Sequence, residues 1–306
     1  MINLLFITPK TSGLLDKNYY FLENELKKIT NLTLHRNSGR ISDILKKMNV
    51  TPDFILLLND LGDEMFPIIK GLSSVNIPTG LIINDVHRFK EKRRHFIRKS
   101  NISYLFSVTR KKFREIYSEY TNKMEWLPHF VNTEVYKDYG CVKTINLLMM
   151  GAVNDFYPLR QEILRYYEKS NDFIYHSHPG YREFSEEEEQ QLYIGEKYAR
   201  EINKSKIFFT CPSVLEYPVK KYFQALACKS LLLAPTFKEL EDLGFIPGIH
   251  FVEINKYNFK DRAAYYLTNA KDRERIAEQG YKFIHQNHSL QIRAQQLVNR
   301  IEDFIS

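Results

Sequence analysis

The sequence predicts an α/β protein made of two doubly wound parallel-sheet halves. Three observations carry this. Short, uninterrupted apolar runs alternate with stretches of helical periodicity, the pattern of strands buried on both faces between crossover helices. The alternation runs through once, passes a Trp- and Pro-containing segment near 126–139, and then starts again. The chain of 306 residues is longer than one core usually supports, which favours two domains.

NLLFIT at 3–8 reads as the first strand, and 19–29 follows with Tyr20, Leu22, Leu26 and Ile29 at helical spacing among Glu and Lys. FILLL at 54–58, GLII at 80–83 and YLFSV at 104–108 are the next strands, with helical patterns between them. The second series comprises NLLMM at 146–150 and strands at 173–176, 207–210 and 231–234. Its helices are expected at 190–203 and 219–228, and the chain closes with helical stretches at 260–287 and 289–305. The four acids Glu186 to Glu189 suit a helix start, where the macrodipole favours negative charge.

Composition narrows the function classes. With 43% hydrophobic residues, 20 Tyr and 21 Phe, the chain is globular rather than disordered. Three cysteines without a CxxC pair describe neither a disulfide framework nor a zinc site and suit a reducing compartment. The opening MINLLFITPK reads as a strand rather than a signal peptide, and no run approaches a membrane span, so a cytoplasmic protein is expected. The formal charge of +7 suits an anionic ligand or partner and equally suits ordinary solubility.

In parallel sheets, ligands bind beyond the carboxyl ends of strands, where helix N-termini also point. Four passages stand there. After the 146–150 strand, Gly151 allows close backbone approach and Arg160 offers a fork for phosphate oxygens; taken alone, a turn glycine and a surface arginine read the same way. After the 207–210 strand, Glu216 lies in a loop, Pro218 in the first turn of a helix, and Lys220 and Lys221 at its start. Cations at that end oppose the macrodipole, which makes sense beside a diphosphate; solvated surface lysines are the plainer reading. After 80–83 stand Asp85, His87 and Arg88, with His87 able to bond a sugar hydroxyl or a phosphate. After 173–176, HSHPGY carries His176 and His178, read as a turn lining the cleft rather than a metal site because no third ligand is evident. Asp-x-Asp, GxxxxGK[ST], an early GxGxxG and GxSxG are all missing, which argues against a metal-dependent diphosphate site, a P-loop ATPase, a dinucleotide dehydrogenase and an α/β-hydrolase.

Three passages carry a family resemblance. WLPHFVNTEVY at 126–136 is similar to a hinge usually written LPxGVDxxxF, with Asn132 at the Asp. INKSKIFFTCPS…EYPVKKYFQALACKSLLLAP at 202–235 is similar to a donor-site strand and helix. RERIAEQGYKFIHQNHSLQIRAQQLV at 273–298 is similar to a closing segment, with Gly280, His288 and Arg293 at recurrent positions. Together they resemble the GT-B nucleotide-sugar glycosyltransferases of group 1, above all their bacterial CgeB-like, spore-maturation-protein-like branch.

The resemblance implies two Rossmann-like domains facing a cleft, an acceptor-side domain over 1–132 and a donor-nucleotide domain over 133–306, with 289–305 as a closing helix packed back on the first. It implies a metal-independent, retaining transfer of sugar from a nucleoside-diphosphate sugar, a UDP-sugar first among them, with no cofactor. Donor binding falls to Gly151, Arg160, His178, Glu216, Lys220, Lys221 and Gln224, and His87 is the catalytic candidate. The family signature is Glu, seven residues, Glu. Glu216 matches the first, Gln224 replaces the second, and Lys229 replaces a turn glycine. An epimerase or hydrolase on the same fold, or a non-catalytic sugar-nucleotide-binding or coat-associated protein, are the alternatives. The stretch RFKEKRRHFIRK at 88–99, seven bases against one acid, is a solvated helix or a face for an anionic acceptor: a wall polymer, a lipid-linked sugar at a membrane surface, a protein or modified DNA. A peripheral-membrane or spore location would follow from such acceptors.

Overall fold

The computed structural model describes residues 1–58 and 66–306. In the first half run β1 (Asn3–Ile7), α1 (Asn18–Ile29), β2 (Asn31–His35), β3 (Gly39–Arg40), α2 (Ile41–Leu45), β4 (Phe54–Leu58), β5 (Ile69–Lys70), β6 (Thr79–Ile83), α3 (Lys90–Ser100), β7 (Tyr104–Ser107), α4 (Lys111–Ile116) and β8 (Met124–Trp126). The second half contains β9 (Ile145–Met150), α5 (Pro158–Tyr167), β10 (Phe173–His176), α6 (Glu186–Gln191), α7 (Gly195–Asn203), β11 (Ser205–Phe209), α8 (Lys220–Ala227), β12 (Leu231–Ala234), α9 (Lys238–Asp242) and β13 (Val252–Glu253). It ends with α10 (Phe259–Thr268), α11 (Ala270–Asn287) and α12 (Leu290–Ile305).

These form two compact units. The first comprises Met1–Ser12, Tyr19–Pro128 and Gln291–Ser306; the second comprises Gly13–Asn18 and His129–Leu290. Both are organised around all-parallel sheets, as expected. The first sheet has order β2-β1-β4-β6-β7-β8 and the second β10-β9-β11-β12-β13. The continuous apolar runs are the central strands: every residue of β4 and β6 is buried.

Several elements escaped the sequence reading for physical reasons. β2 is an edge strand that exposes Asn31 and Thr33, so its apolar run is broken. β8 and β13 are only three and two residues long. The helix expected over 190–203 is two helices. α6 begins at Glu186 behind a Ser185–Glu188 capping box, and Gly195, at φ +54°, starts α7. The stretch 260–287 is likewise divided, at Asn269, into α10 and α11. Pro218 stands one residue before the N-cap of α8, Val219, rather than in its first turn.

The small residues of α8 have a packing cause. Ala225, Ala227 and Cys228 are fully buried. α11 approaches so closely at Gly280 that a β-carbon there would lie 2.3 Å from the His250 carbonyl oxygen and 2.7 Å from Leu226 Cδ2. In the first unit, Phe304 of α12 stacks on Tyr104 of β7 with ring centres 3.5 Å apart. Among the described residues, no helix is long and apolar enough to cross a membrane.

Candidate functional site

The loops that leave β9 and β11 and the first turn of α8 bring Gly151, Arg160 and Lys221 together in the second unit. Gly151 has φ +117°, and its backbone is so closely covered that a β-carbon would lie 2.5 Å from Lys221 Cε and 2.9 Å from its Nζ. The same position is 3.6 Å from a terminal nitrogen of Arg160. The loop is pinned from behind, where the Gly151 N–H donates to the His176 carbonyl at 2.9 Å and Tyr175 Oη donates to the Gly151 carbonyl at 2.9 Å.

Arg160, third residue of α5, is only 2% exposed. Its guanidinium lies 3.9 Å from the Tyr157 ring centre. It donates to the Ala152 carbonyl at 3.1 Å, Thr210 Oγ1 at 2.9 Å and the Cys211 carbonyl at 3.2 Å. It therefore ties the loop after β9 to the loop after β11. Its Nε–H has no hydrogen-bond partner, and it makes no ion pair among the described residues. Lys221 is half-buried and likewise has no carboxylate partner among the described residues. Burial, with Arg160 and Lys220 nearby, brings its ammonium down to about 7. A buried guanidinium and a half-buried ammonium side by side, with no acid between them, make a site that an anion would stabilise.

The other candidates are in different states, with His178 and Lys220 near this pair. His178 is pushed down to about 4 by burial, Lys221 and Arg160, so it is neutral at pH 7. Its Nδ1 accepts from the Gly180 N–H at 3.0 Å, and its ring lies 4.4 Å from that of Tyr181. Lys220 touches the Asp16 carboxylate. Burial brings its ammonium down to about 7. Glu216 is exposed, in the left-handed region at φ +52°, with its N–H donating to the Ser213 carbonyl at 3.0 Å. Gln224 stands beside the Tyr136 hydroxyl, a buried phenol whose ionisation is strongly suppressed by desolvation. Lys229, also left-handed at φ +56°, bridges Asp138 at 3.1 Å and Glu278 at 2.8 Å. Its side chain supplies ion pairs where a glycine would give only backbone freedom. Among the described residues no group of three or more His, Cys, Asp or Glu is arranged to hold a metal.

Asp16, Tyr136, Tyr157 and Thr210 were not singled out from sequence. Asp16 had a usable signal, since it follows β1 in a strand-to-helix loop. The others are one polar group each in aromatic or strand-end contexts, with nothing local to mark them.

In the first unit, His87 follows β6. Burial holds its imidazole below the usual range, an effect opposed by Asp85, so the ring is neutral at pH 7. The basic run 88–99 is less of a free patch than its composition suggests. Arg93 is fully buried and donates to the Arg88 carbonyl at 2.7 Å and Tyr117 Oη at 2.6 Å. Arg94 pairs with Glu119 at 2.6 Å and contacts Glu91. Arg88, Lys90, Lys92, Arg98 and Lys99 remain exposed.

A family model described as glycosyl transferase-like matches residues 160–299, the span from Arg160 in α5 into α12. No curated protein matches the chain. Among solved structures, a glycosyltransferase from Rickettsia africae is similar over 99% of this chain and 98% of its own, with TM-score 0.66 and 11% identity. Anabaena HepE in complex with UDP-glucose is similar over 99% and 100%, with TM-score 0.65 and 8% identity. Sucrose-phosphate synthase from Thermosynechococcus elongatus is similar over 98% of both chains, with TM-score 0.64 and 9% identity. The chain thus has the two-domain, Rossmann-like GT-B fold, and its second half carries a glycosyl transferase-like segment.

Proposed function

We propose that the protein transfers a sugar from a nucleoside-diphosphate sugar, a UDP-sugar first among them, to an acceptor hydroxyl. The observation that carries this is the Arg160–Lys221 pair beside Gly151, two cations without a carboxylate partner among the described residues. The glycosyl transferase-like match over 160–299 supports it. The fold shared with HepE, which was captured with UDP-glucose, supports the choice of nucleotide.

In this reading the second unit holds the donor and the first receives the acceptor. Lys221 and the N–H groups at the start of α8 meet the diphosphate, and Arg160 adds charge from behind while fixing the two loops. The bond from the anomeric carbon to the phosphate oxygen breaks, and the nucleoside diphosphate leaves with the electron pair. The acceptor oxygen bonds to that carbon and gives up its proton. Charge on the leaving group is met by fixed cations, so the reaction is proposed to be metal-independent. Retention, with a donor phosphate oxygen taking the acceptor proton, follows the group-1 resemblance. His87, neutral at pH 7, is the proposed partner of a sugar hydroxyl.

The test is a panel of UDP-, GDP-, ADP- and dTDP-sugars in thermal unfolding, followed by assay of free nucleotide with and without acceptors. A UDP-sugar at a hundred times its Kd is expected to stabilise the protein by about 2.7 kcal/mol. Acceptor-dependent release of UDP identifies the transferase; release without acceptor identifies a hydrolase. If no nucleotide stabilises the fold, the proposal fails.

A further inference from the structure

The two adjacent lysines at the start of α8 are treated differently. Lys221 has no carboxylate partner among the described residues, whereas Lys220 is in contact with Asp16. Asp16 belongs to Gly13–Asn18, the connection between β1 and α1, which packs as part of the second unit. This strap is fastened on both sides of Asp16. Leu14 bridges Glu183, and the Phe184 N–H donates to the Gly13 carbonyl at 2.8 Å. Lys17 pairs with Glu189 at 2.6 Å, with both side chains mostly shielded. Asn18 Nδ2 donates to the Phe130 carbonyl at 3.0 Å. The strap thus has anchors of its own that do not involve Lys220. Its acid meets the side chain of Lys220, the first residue of α8 and one of three clustered cations.

We propose that Asp16 is a competing internal anion of the donor site, which neutralises Lys220 so that a nucleoside diphosphate meets Arg160 and Lys221 unopposed and must compete with Asp16 for the third cation. This rests on the donor-site reading above. Asp16 then acts as a residue that sets donor affinity: it weakens diphosphate binding both by occupying Lys220 and by like-charge repulsion. A purely structural Asp16 would instead help binding by holding the strap in place.

Binding of UDP and of inorganic pyrophosphate to the full chain, measured by calorimetry at low and moderate salt, separates these. Asp16→Asn keeps the shape of the side chain and removes its charge. It is expected to tighten both ligands by about three- to tenfold, the scale of a partly shielded ion pair, with a steeper salt dependence. Lys220→Met should erase that gain, so that Lys220→Met and the Asp16→Asn/Lys220→Met double variant bind alike. Lys17→Met loosens the strap without touching the pair and should not tighten binding. The proposal is overturned, with the donor reading intact, if wild type binds UDP and Asp16→Asn binds it equally or more weakly. It is also overturned if Lys17→Met tightens binding as much as Asp16→Asn. If neither wild type nor Asp16→Asn binds any nucleotide, both readings fall together.

Discussion

At the scale of single residues, the site turns on the difference between Arg160 and Lys221. Arg160 keeps its charge at any working pH, and its fork is occupied by two carbonyls and a threonine. Lys221 is the adjustable group, with its ammonium lowered to about 7 by burial and by neighbouring cations. A diphosphate beside it would restore its affinity for a proton, so donor binding takes up a proton when the lysine starts neutral. The sign follows: with the free-state pKa lowered, affinity is full below it and falls as pH rises through it. From about pH 6 to about pH 8, UDP-glucose affinity is expected to fall by about tenfold. UDP-glucose suits the measurement because its diphosphate is a diester and does not titrate in that window. Calorimetry in buffers of different ionisation enthalpy should register the proton taken up. Lys221→Met should bind more weakly and lose both the pH slope and the proton uptake; a slope that persists would assign it to another group.

At the scale of elements, the loop after β9 is where backbone and ligand chemistry coincide. Gly151 lies at a positive φ and is also capped by the Lys221 side chain, so alanine there meets two obstacles. Gly151→Ala is expected to destabilise the second unit by about 1–3 kcal/mol and to displace Lys221, weakening UDP-glucose by at least about tenfold. Gly140→Ala is the control, because Gly140 is also left-handed at φ +65° but opens onto free space. It should lose stability alone, and equal loss of affinity in both variants would remove Gly151 from the site. This loop also marks what sequence could reveal. Strands β1, β4, β6, β7, β9, β11 and β12 were legible because burial on both faces leaves a continuous apolar run. Glycine at a strand end and lysines at a helix start were legible as types. The direction of a side chain was not: Arg160 at the third position of α5 turns into the protein rather than outward, and that depends on Thr210 and Cys211, fifty residues away. The partners of Gln224 and Lys229 were hidden for the same reason, since Tyr136, Asp138 and Glu278 are distant in sequence.

At the scale of the whole molecule, the chain crosses between its two units more than once. Gly13–Asn18 belongs with the second, and Gln291–Ser306 returns to the first. The returning helix α12 is held there by Phe304, which stacks on Tyr104 and lies 6.2 Å from the ring of Phe106, and by Arg300, 3.4 Å from Glu125. Tyr104 and Phe106 sit on β7, and Phe106 also covers Gly80 on β6, where a β-carbon would lie 2.7 Å from the phenyl ring. The last residues of the chain therefore complete the first unit, not the unit that precedes them in sequence. Phe304→Ala should cost about 1–3 kcal/mol, less than a fully buried phenylalanine because this ring is partly exposed. With two units, a single melting temperature would blur the effect, so the measurement is native-state hydrogen exchange. Protection should fall in β6, β7 and β8, remain unchanged in β9, β11 and β12, and leave UDP-glucose affinity as it was. If protection falls equally in both sheets, the stacking of Phe304 supports the molecule as one cooperative body rather than the first unit alone.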